Sequence, residues 1–133
     1  MPALLTHKQL ENYILAKPGA KLGYPFGEEA AVYKVADKMF ALIAEKTSPL
    51  RVSLKCDPSL AETLRAKYES VLPGYHLNKR HWNTLILSGQ LPEEEVLGLI
   101  DHSYHLVVAG LTLEAQSKLQ KTKAGRRSRL ANS

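Results

Sequence analysis

The chain has 133 residues, 44% apolar and 23% charged, which are the proportions of a soluble globular protein long enough to bury its own core. No apolar run approaches the ~20 residues of a membrane helix, and the lone Cys56 excludes an internal disulfide. The net charge of +5 is local, because residues 1–111 hold twelve Lys/Arg and twelve Asp/Glu, whereas residues 112–133 hold six Lys/Arg against Glu114 alone. A basic stretch of that kind is drawn to any polyanion, with strong salt dependence and little selectivity. MPALLTHKQL has neither the basic start nor the long apolar stretch of a signal peptide, so a cytoplasmic protein with no membrane partner is expected.

Thr6 with Gln9 spells a capping box, and Leu5 with Leu10 a hydrophobic staple, so a first helix is predicted over about residues 7–16. Lys17-Pro18-Gly19 ends it. KLGYPFGEE (21–29), with two Gly and a Pro, reads as an ordered loop. AVYKV (31–35) and MFALI (39–43) have hairpin spacing around Ala36-Asp37-Lys38, and MFALI, apolar on both faces, reads as a central strand. RVSLKC (51–56) alternates, with Val52, Leu54 and Cys56 on one side and Arg51, Ser53 and Lys55 on the other.

Asp57-Pro58 is an N-cap followed by Pro at the first helical position, and Leu60, Ala61, Leu64 and Tyr68 supply the buried stripe of that helix. After a Pro73-Gly74 turn, YHL and WNTLILS read as strands. Glu93, Glu94 and Glu95 then suit a helix N-terminus, where the dipole favours carboxylates. Val96, Ile100, Tyr104, Val107 and Leu111 share one face of that last helix, which is long or bends near His102-Ser103. The order is helix, three strands, helix, two strands, helix. It implies a two-layer α+β domain over residues 1–120, a mostly antiparallel five-stranded sheet with helices packed on it and one face left open. Residues 121–133 form a basic tail without apolar periodicity, expected to be flexible.

The chain carries no Gly-rich phosphate loop, HExxH, CxxC or Ser-His-Asp spacing, and neither a cofactor nor a catalytic centre is expected. His102 and His105 stand i, i+3 but point away from the Ile100/Val107 face and lack a third ligand, so no metal site is expected. Cys56 follows Lys55 and precedes a helix N-terminus, either of which lowers a thiol pKa. The alternation of its strand nevertheless places it in the core.

The stretch NKRHWNTL (78–85) joins Lys79, Arg80 and His81 to Trp82, the only tryptophan. Cations for the backbone and an aromatic ring for the bases are what single-stranded nucleic acid needs, and Lys/Arg alone what duplex phosphates need. Lys34, Arg51 and Lys55 extend the basic set across the open face, and Lys121, Lys123, Arg126, Arg127 and Arg129 add the tail. Against this stands a core role for Trp82 with Lys79 and Arg80 merely solvated. Alternation does not decide, because Trp82/Thr84/Ile86 and Asn83/Leu85/Leu87 are both acceptable inward sets.

LAKPGA (15–20), YPFGEE (24–29), VYKVADKMFAL (32–42), RVSLKCDP (51–58), LPGYHLNKRHWNTL (72–85) and HSYHLVVAGL (102–111) together resemble the MmcQ/YjbR family of small bacterial proteins. The motifs run in register over about residues 10–111, and the tail lies outside them. The resemblance implies the order α-β-β-β-α-β-β-α, a fold similar to secretion chaperones and to a double-wing DNA-binding domain. It also implies DNA binding, by similarity of fold. Lys55, Pro58, Pro73, Gly74, Lys79, His81 and Trp82 match its motif positions. Ala36-Asp37 departs from it, since the family often has Gly in that turn. The expectation is therefore a non-enzymatic DNA-binding protein, the alternative being a protein-binding or chaperone-like module that uses the sheet face or an edge strand.

Overall fold

A computed structural model describes residues 5–74 and 77–120. The chain runs α1 (His7–Leu15), β1 (Lys21–Gly23), β2 (Ala30–Val35), β3 (Lys38–Ala44), β4 (Arg51–Lys55), α2 (Pro58–Lys67), β5 (Val71–Pro73), β6 (Trp82–Ile86) and α3 (Glu93–Ala109). A short α4 follows over 113–120. The strands form one sheet in the order β1-β2-β3-β4-β6-β5, and every neighbouring pair is antiparallel. The α+β class and the open sheet are as the sequence indicates, and the sheet has six strands where the sequence indicates five.

The local signals act where they stand. Thr6 Oγ1 accepts the Gln9 N–H (3.1 Å) and Gln9 Oε1 accepts the Thr6 N–H (2.9 Å), closing the capping box of α1. Asp57 Oδ2 accepts from Ser59 N–H (3.1 Å) and Leu60 N–H (3.3 Å), so α2 starts at Pro58. The β2–β3 hairpin closes through Ala36 and Asp37, whose φ values of 48° and 65° are the left-handed pair of a two-residue turn. Gly usually supplies that conformation, and here Ala36 adopts it with a Cβ in the way.

Three boundaries differ from the sequence reading. Lys21–Gly23, inside the stretch read as a loop, pairs with β2 and becomes an edge strand. Three residues are too few for periodicity, and only the partner strand makes them a strand. The described strand before β6 is Val71–Pro73. Pro73 is tolerated because β5 is the other edge of the sheet, where a missing N–H costs no ladder bond. Leu77 belongs to the following turn, and Tyr75 and His76 lie outside the described residues. The last helix stops at Ala109, and Thr112 Oγ1, accepting the Ala115 N–H at 3.1 Å, starts α4 as a separate element.

All described helices pack on one side of the sheet. Leu10 and Ile14 of α1, Ala61 and Leu64 of α2, and Val96, Ile100, Tyr104 and Val107 of α3 join Ala31, Tyr33, Ala41, Ile43, Val52, Leu54 and Leu85 in one buried cluster. Leu119 of α4 reaches the same cluster, close enough to Gly19 that a Cβ there would collide with it. Ser103 Oγ ties α3 to the sheet, donating to the Phe40 carbonyl and accepting the Lys55 N–H (2.9 Å). Two buried apolar side chains, Val32 and Trp82, stand outside this cluster. They belong to the opposite face.

Candidate nucleic-acid interface

The pairing register lays out that opposite face row by row. Gly23, Val32, Leu42, Ser53, Thr84 and Leu72 form a lateral row through all six strands. Toward one end, Lys21 pairs with Lys34 on one side of the face and Lys55 with Trp82 on the other. Toward the other end, Ala30, Ala44, Arg51 and Ile86 line up. The face thus has an apolar and hydroxyl-bearing middle, a lysine-rich end and a single arginine at the far end. With strands about 4.8 Å apart, Lys34 and Lys55 sit roughly 10 Å apart across the face.

Where β4 meets β6 this row is dry rather than open to water. Ser53 and Thr84 are 6% and 5% exposed, and their hydroxyls hydrogen-bond to one another at 2.8 Å. Such a pair meets its own polar demand, which is what lets two hydroxyls sit buried in a sheet.

Trp82/Thr84/Ile86 is the set on this face, and Asn83/Leu85/Leu87 is the set beneath the helices. Asn83 Nδ2 donates to the Ala61 carbonyl of α2 at 3.3 Å. Trp82 is nevertheless only 9% exposed, so its ring is not free to stack on a base. Gly74 lies against it. The Gly74 N–H donates to the Trp82 carbonyl (2.8 Å), and a Cβ at Gly74 would stand 2.7 Å from Trp82 Cβ. The tryptophan holds the chain on either side of it in place.

The cations before Trp82 are placed by side-chain acceptors. Asn78 Oδ1 accepts the N–H of Arg80 (2.9 Å) and His81 (3.3 Å), an Asx turn that puts Lys79 and Arg80 at an exposed tip. Arg65 braces it from α2, donating to the Lys79 carbonyl at 2.9 Å. The Cys56 N–H donates to the His81 carbonyl at 2.7 Å, which seats the turn at the Lys55–Trp82 end of the face. His81 is half-buried, Lys34 and Lys55 are half-buried with their strands, and Arg51 is exposed. Among the described residues none of Lys34, Arg51, Lys55, Lys79 and Arg80 has a carboxylate within ion-pair distance. Lys121, Lys123, Arg126, Arg127 and Arg129 lie outside the described residues.

The other chemically active groups are committed elsewhere. Cys56 is buried, and that burial, helped by the adjacent Asp57 carboxylate and opposed by Arg65, pushes its thiol up to about 11. It is protonated at neutral pH and a poor nucleophile. His105 is exposed, but His102 does not simply face solvent, since its Nε2 accepts the Asp57 N–H (3.2 Å) and joins α3 to the start of α2. His7 Nε2 meets Glu45 Oε2 at 2.6 Å, linking α1 to the end of β3. Beside them burial, then Glu11 and Glu45, raises the Tyr33 phenol above its ordinary range. Lys17 and the Tyr13 hydroxyl both hold Asp101, tying α1 to α3.

One part of the surface was not visible in the sequence. The β1–β2 connection exposes Tyr24 (49%) and Phe26 (68%), beside a pocket of 560 Å³ that Lys21 and Lys34 help to line. The sequence places these residues in a loop, and nothing in their spacing says which rings stay outside.

The protein is thus a six-stranded antiparallel sheet whose described helices all lie on one side, with Lys34, Arg51 and Lys55 on the other. Residues 15–106 match the model of the YjbR family, and the chain belongs to that family. It is 41% identical over 115 residues to the uncharacterized protein YjbR of Escherichia coli K12, covering 86% of this chain and 97% of that one. It is 28% identical over 117 residues to YyaQ of Bacillus subtilis 168, covering 77% and 98%. Among solved structures, the Deinococcus radiodurans protein DR2400, a DUF419 domain, is similar with a TM-score of 0.83 and 37% identity over 88% of this chain and 89% of that one. A Pseudomonas syringae protein is similar at a TM-score of 0.66 and 31% identity, covering 77% and 98%.

Proposed function

We propose that this protein binds DNA without catalysing a reaction on it, holding phosphates on the helix-free face of its sheet. The carrying observation is that Lys34, Arg51 and Lys55 share that face, Lys79 and Arg80 stand on the turn at its end, and none of the five is paired with an acid among the described residues. Unpaired cations on one surface attract a polyanion, whereas cations committed to ion pairs do not. In this reading Trp82 and Gly74 support the turn that carries Lys79 and Arg80, and half-buried His81 joins that turn to Cys56 through its carbonyl. The residues 121–133 add sequence-independent attraction. The protonated, buried Cys56 supports a binding role over nucleophilic catalysis. No helix among the described residues is long and apolar enough to cross a membrane.

The test is fluorescence anisotropy of labelled oligonucleotides, run as a salt titration on the full chain and on a chain ending at Gln120. Binding that persists without the last residues locates the site on the folded body. Lys79→Ala and Arg80→Ala should then each weaken binding and reduce the salt slope by about one. Loss of all binding on truncation, or unchanged slopes in both variants, sinks the reading.

A second reading, a protein partner held on the same face, draws on the apolar middle row and on Leu72, which is 40% exposed. Pairing at a sheet edge is less favoured. Both edge strands are three residues long, one carries Lys21 and the other ends in Pro73, and all of these features discourage an added strand. A stoichiometric partner that survives nuclease treatment and high salt would favour this second reading.

A further inference from the structure

Phe26 is the most exposed aromatic side chain among the described residues, and its position is built rather than accidental. The Gly27 N–H donates to the Tyr24 carbonyl (3.2 Å), closing a tight turn with Pro25 and Phe26 at its centre. Pro25 presets the backbone at the first central position, and Gly27, with φ of 101°, continues the chain where a side chain would be strained. Phe26 therefore sits at the apex and cannot fold back into the core. Tyr24, at the base of the turn, is half-exposed, with its hydroxyl 3.5 Å from Glu45 Oε1.

A single exposed apolar residue needs no explanation. Here Tyr24 lines a 560 Å³ pocket at the β1 side of the sheet, with Val32 and Pro25 as further apolar lining and Lys21 and Lys34 as cations, and Phe26 follows Pro25 directly in the chain. Among the described residues Asp37 is the one acid lining it, and the Glu45 carboxylate stands beside the Tyr24 hydroxyl. Neither lysine has an acidic partner among the described residues.

We infer that Tyr24 and Phe26 are a stacking platform for unpaired nucleobases, with Lys21 and Lys34 holding the adjoining phosphates, so that this face takes single-stranded rather than duplex nucleic acid. The inference rests on the proposed DNA-binding reading and deepens it. Exposed rings add stacking energy to binding when a ligand offers its own π-faces. A duplex keeps its bases stacked inside, and offers phosphates alone. Trp82, the aromatic that the sequence brings forward for this role, is buried, and the loop 24–27 supplies the rings that it cannot. An extended peptide fits the same place less well, because Pro25 and the three-residue β1 leave little edge to pair with.

The experiment measures full-length protein and its Phe26→Ala, Tyr24→Ala and Phe26→Tyr variants against a labelled single strand and a duplex of the same length, in one buffer. Phe26→Ala is expected to weaken single-strand binding roughly 5- to 100-fold, the range of one lost base stack. It should change duplex binding less than about twofold, and Phe26→Tyr should restore the single strand. Phe26 is too exposed for these changes to unfold the chain, and circular dichroism checks that they do not. Wild-type binding with no loss in Phe26→Ala, or with equal loss on both ligands, overturns the stacking platform and leaves the DNA-binding proposal standing. Wild-type binding to neither ligand overturns both. Tighter binding of polyglutamate than of the single strand, lost in Phe26→Ala, would reassign the platform to an acidic peptide.

Discussion

Ile43 and Leu42 are neighbours on β3, yet Ile43 is sealed beneath the helices at 0% exposure and Leu42 stands half-buried on the face that no described helix covers. The same division runs through β4, where Val52 and Leu54 join the core cluster and Arg51 and Lys55 do not. Because side chains alternate along a strand, one backbone serves two solvents, and the two faces take up separate tasks. The covered face holds the core cluster, and the other carries Arg51 and Lys55.

The sharpest test of that division is a pair of truncations. Ile43→Ala should cost about 2–5 kcal/mol in urea unfolding, because it opens a cavity in the packed cluster. Leu42→Ala should cost under about 1.5 kcal/mol, the transfer of part of a leucine side chain. Equal losses would mean that both faces are core and would remove the contact surface.

Alkaline pH should loosen the covered side next. Burial raises Cys56 from 9.0 to about 11, and burial with Asp101 raises Tyr13 from 10.0 to about 12. Both are neutral acids held protonated by folding, so the unfolded chain loses these protons first. Their contribution is intact below pH 9.0 and is lost as pH rises through about 11 and 12. For the thiol the upper limit is about 2–3 kcal/mol. Urea midpoints that stay flat from pH 8 to 11 in the wild type, and equally flat in Cys56→Ala, would contradict this.

A smaller effect is expected from the buried hydroxyl pair of the other face. Thr84→Val keeps the shape and strips Ser53 of its partner, at about 1–3 kcal/mol. The double change with Ser53→Ala should recover part of that loss, and failure to recover it would place the cost elsewhere. Smallest of all, Arg51→Ala should leave stability within about 0.5 kcal/mol while it lowers oligonucleotide affinity. A stability loss above 1 kcal/mol would make Arg51 structural.

The helix starts were readable because caps are local. Thr6 and Asp57 bond to backbone within three residues of themselves, so their effect does not depend on the rest of the chain. The facing of β4 was readable for a similar reason, since its polar and apolar residues alternate cleanly. In β6 both faces are built of buried residues, and the alternation carries no sign. The side on which Trp82 falls was settled by its partner Lys55 across the ladder and by α2 packing over Asn83.

The candidate site divides in the same way. Lys34, Arg51 and Lys55 were legible as a set because strand periodicity puts them on one side, and Lys79 and Arg80 because they adjoin His81 and Trp82 in one short stretch. Tyr24 and Phe26 were not, because the exposure of a ring in a loop depends on where distant elements leave room. What the sequence by itself determined was the α+β class, the capped helices, the hairpin and the sidedness of the clearly alternating strands, all set by interactions within a few residues. The tertiary structure alone decided the two edge strands, the burial of Trp82 and the exposure of the aromatic turn. Each of these depends on partners far away along the chain, and short-range pattern does not record what a side chain meets after the sheet has closed around it.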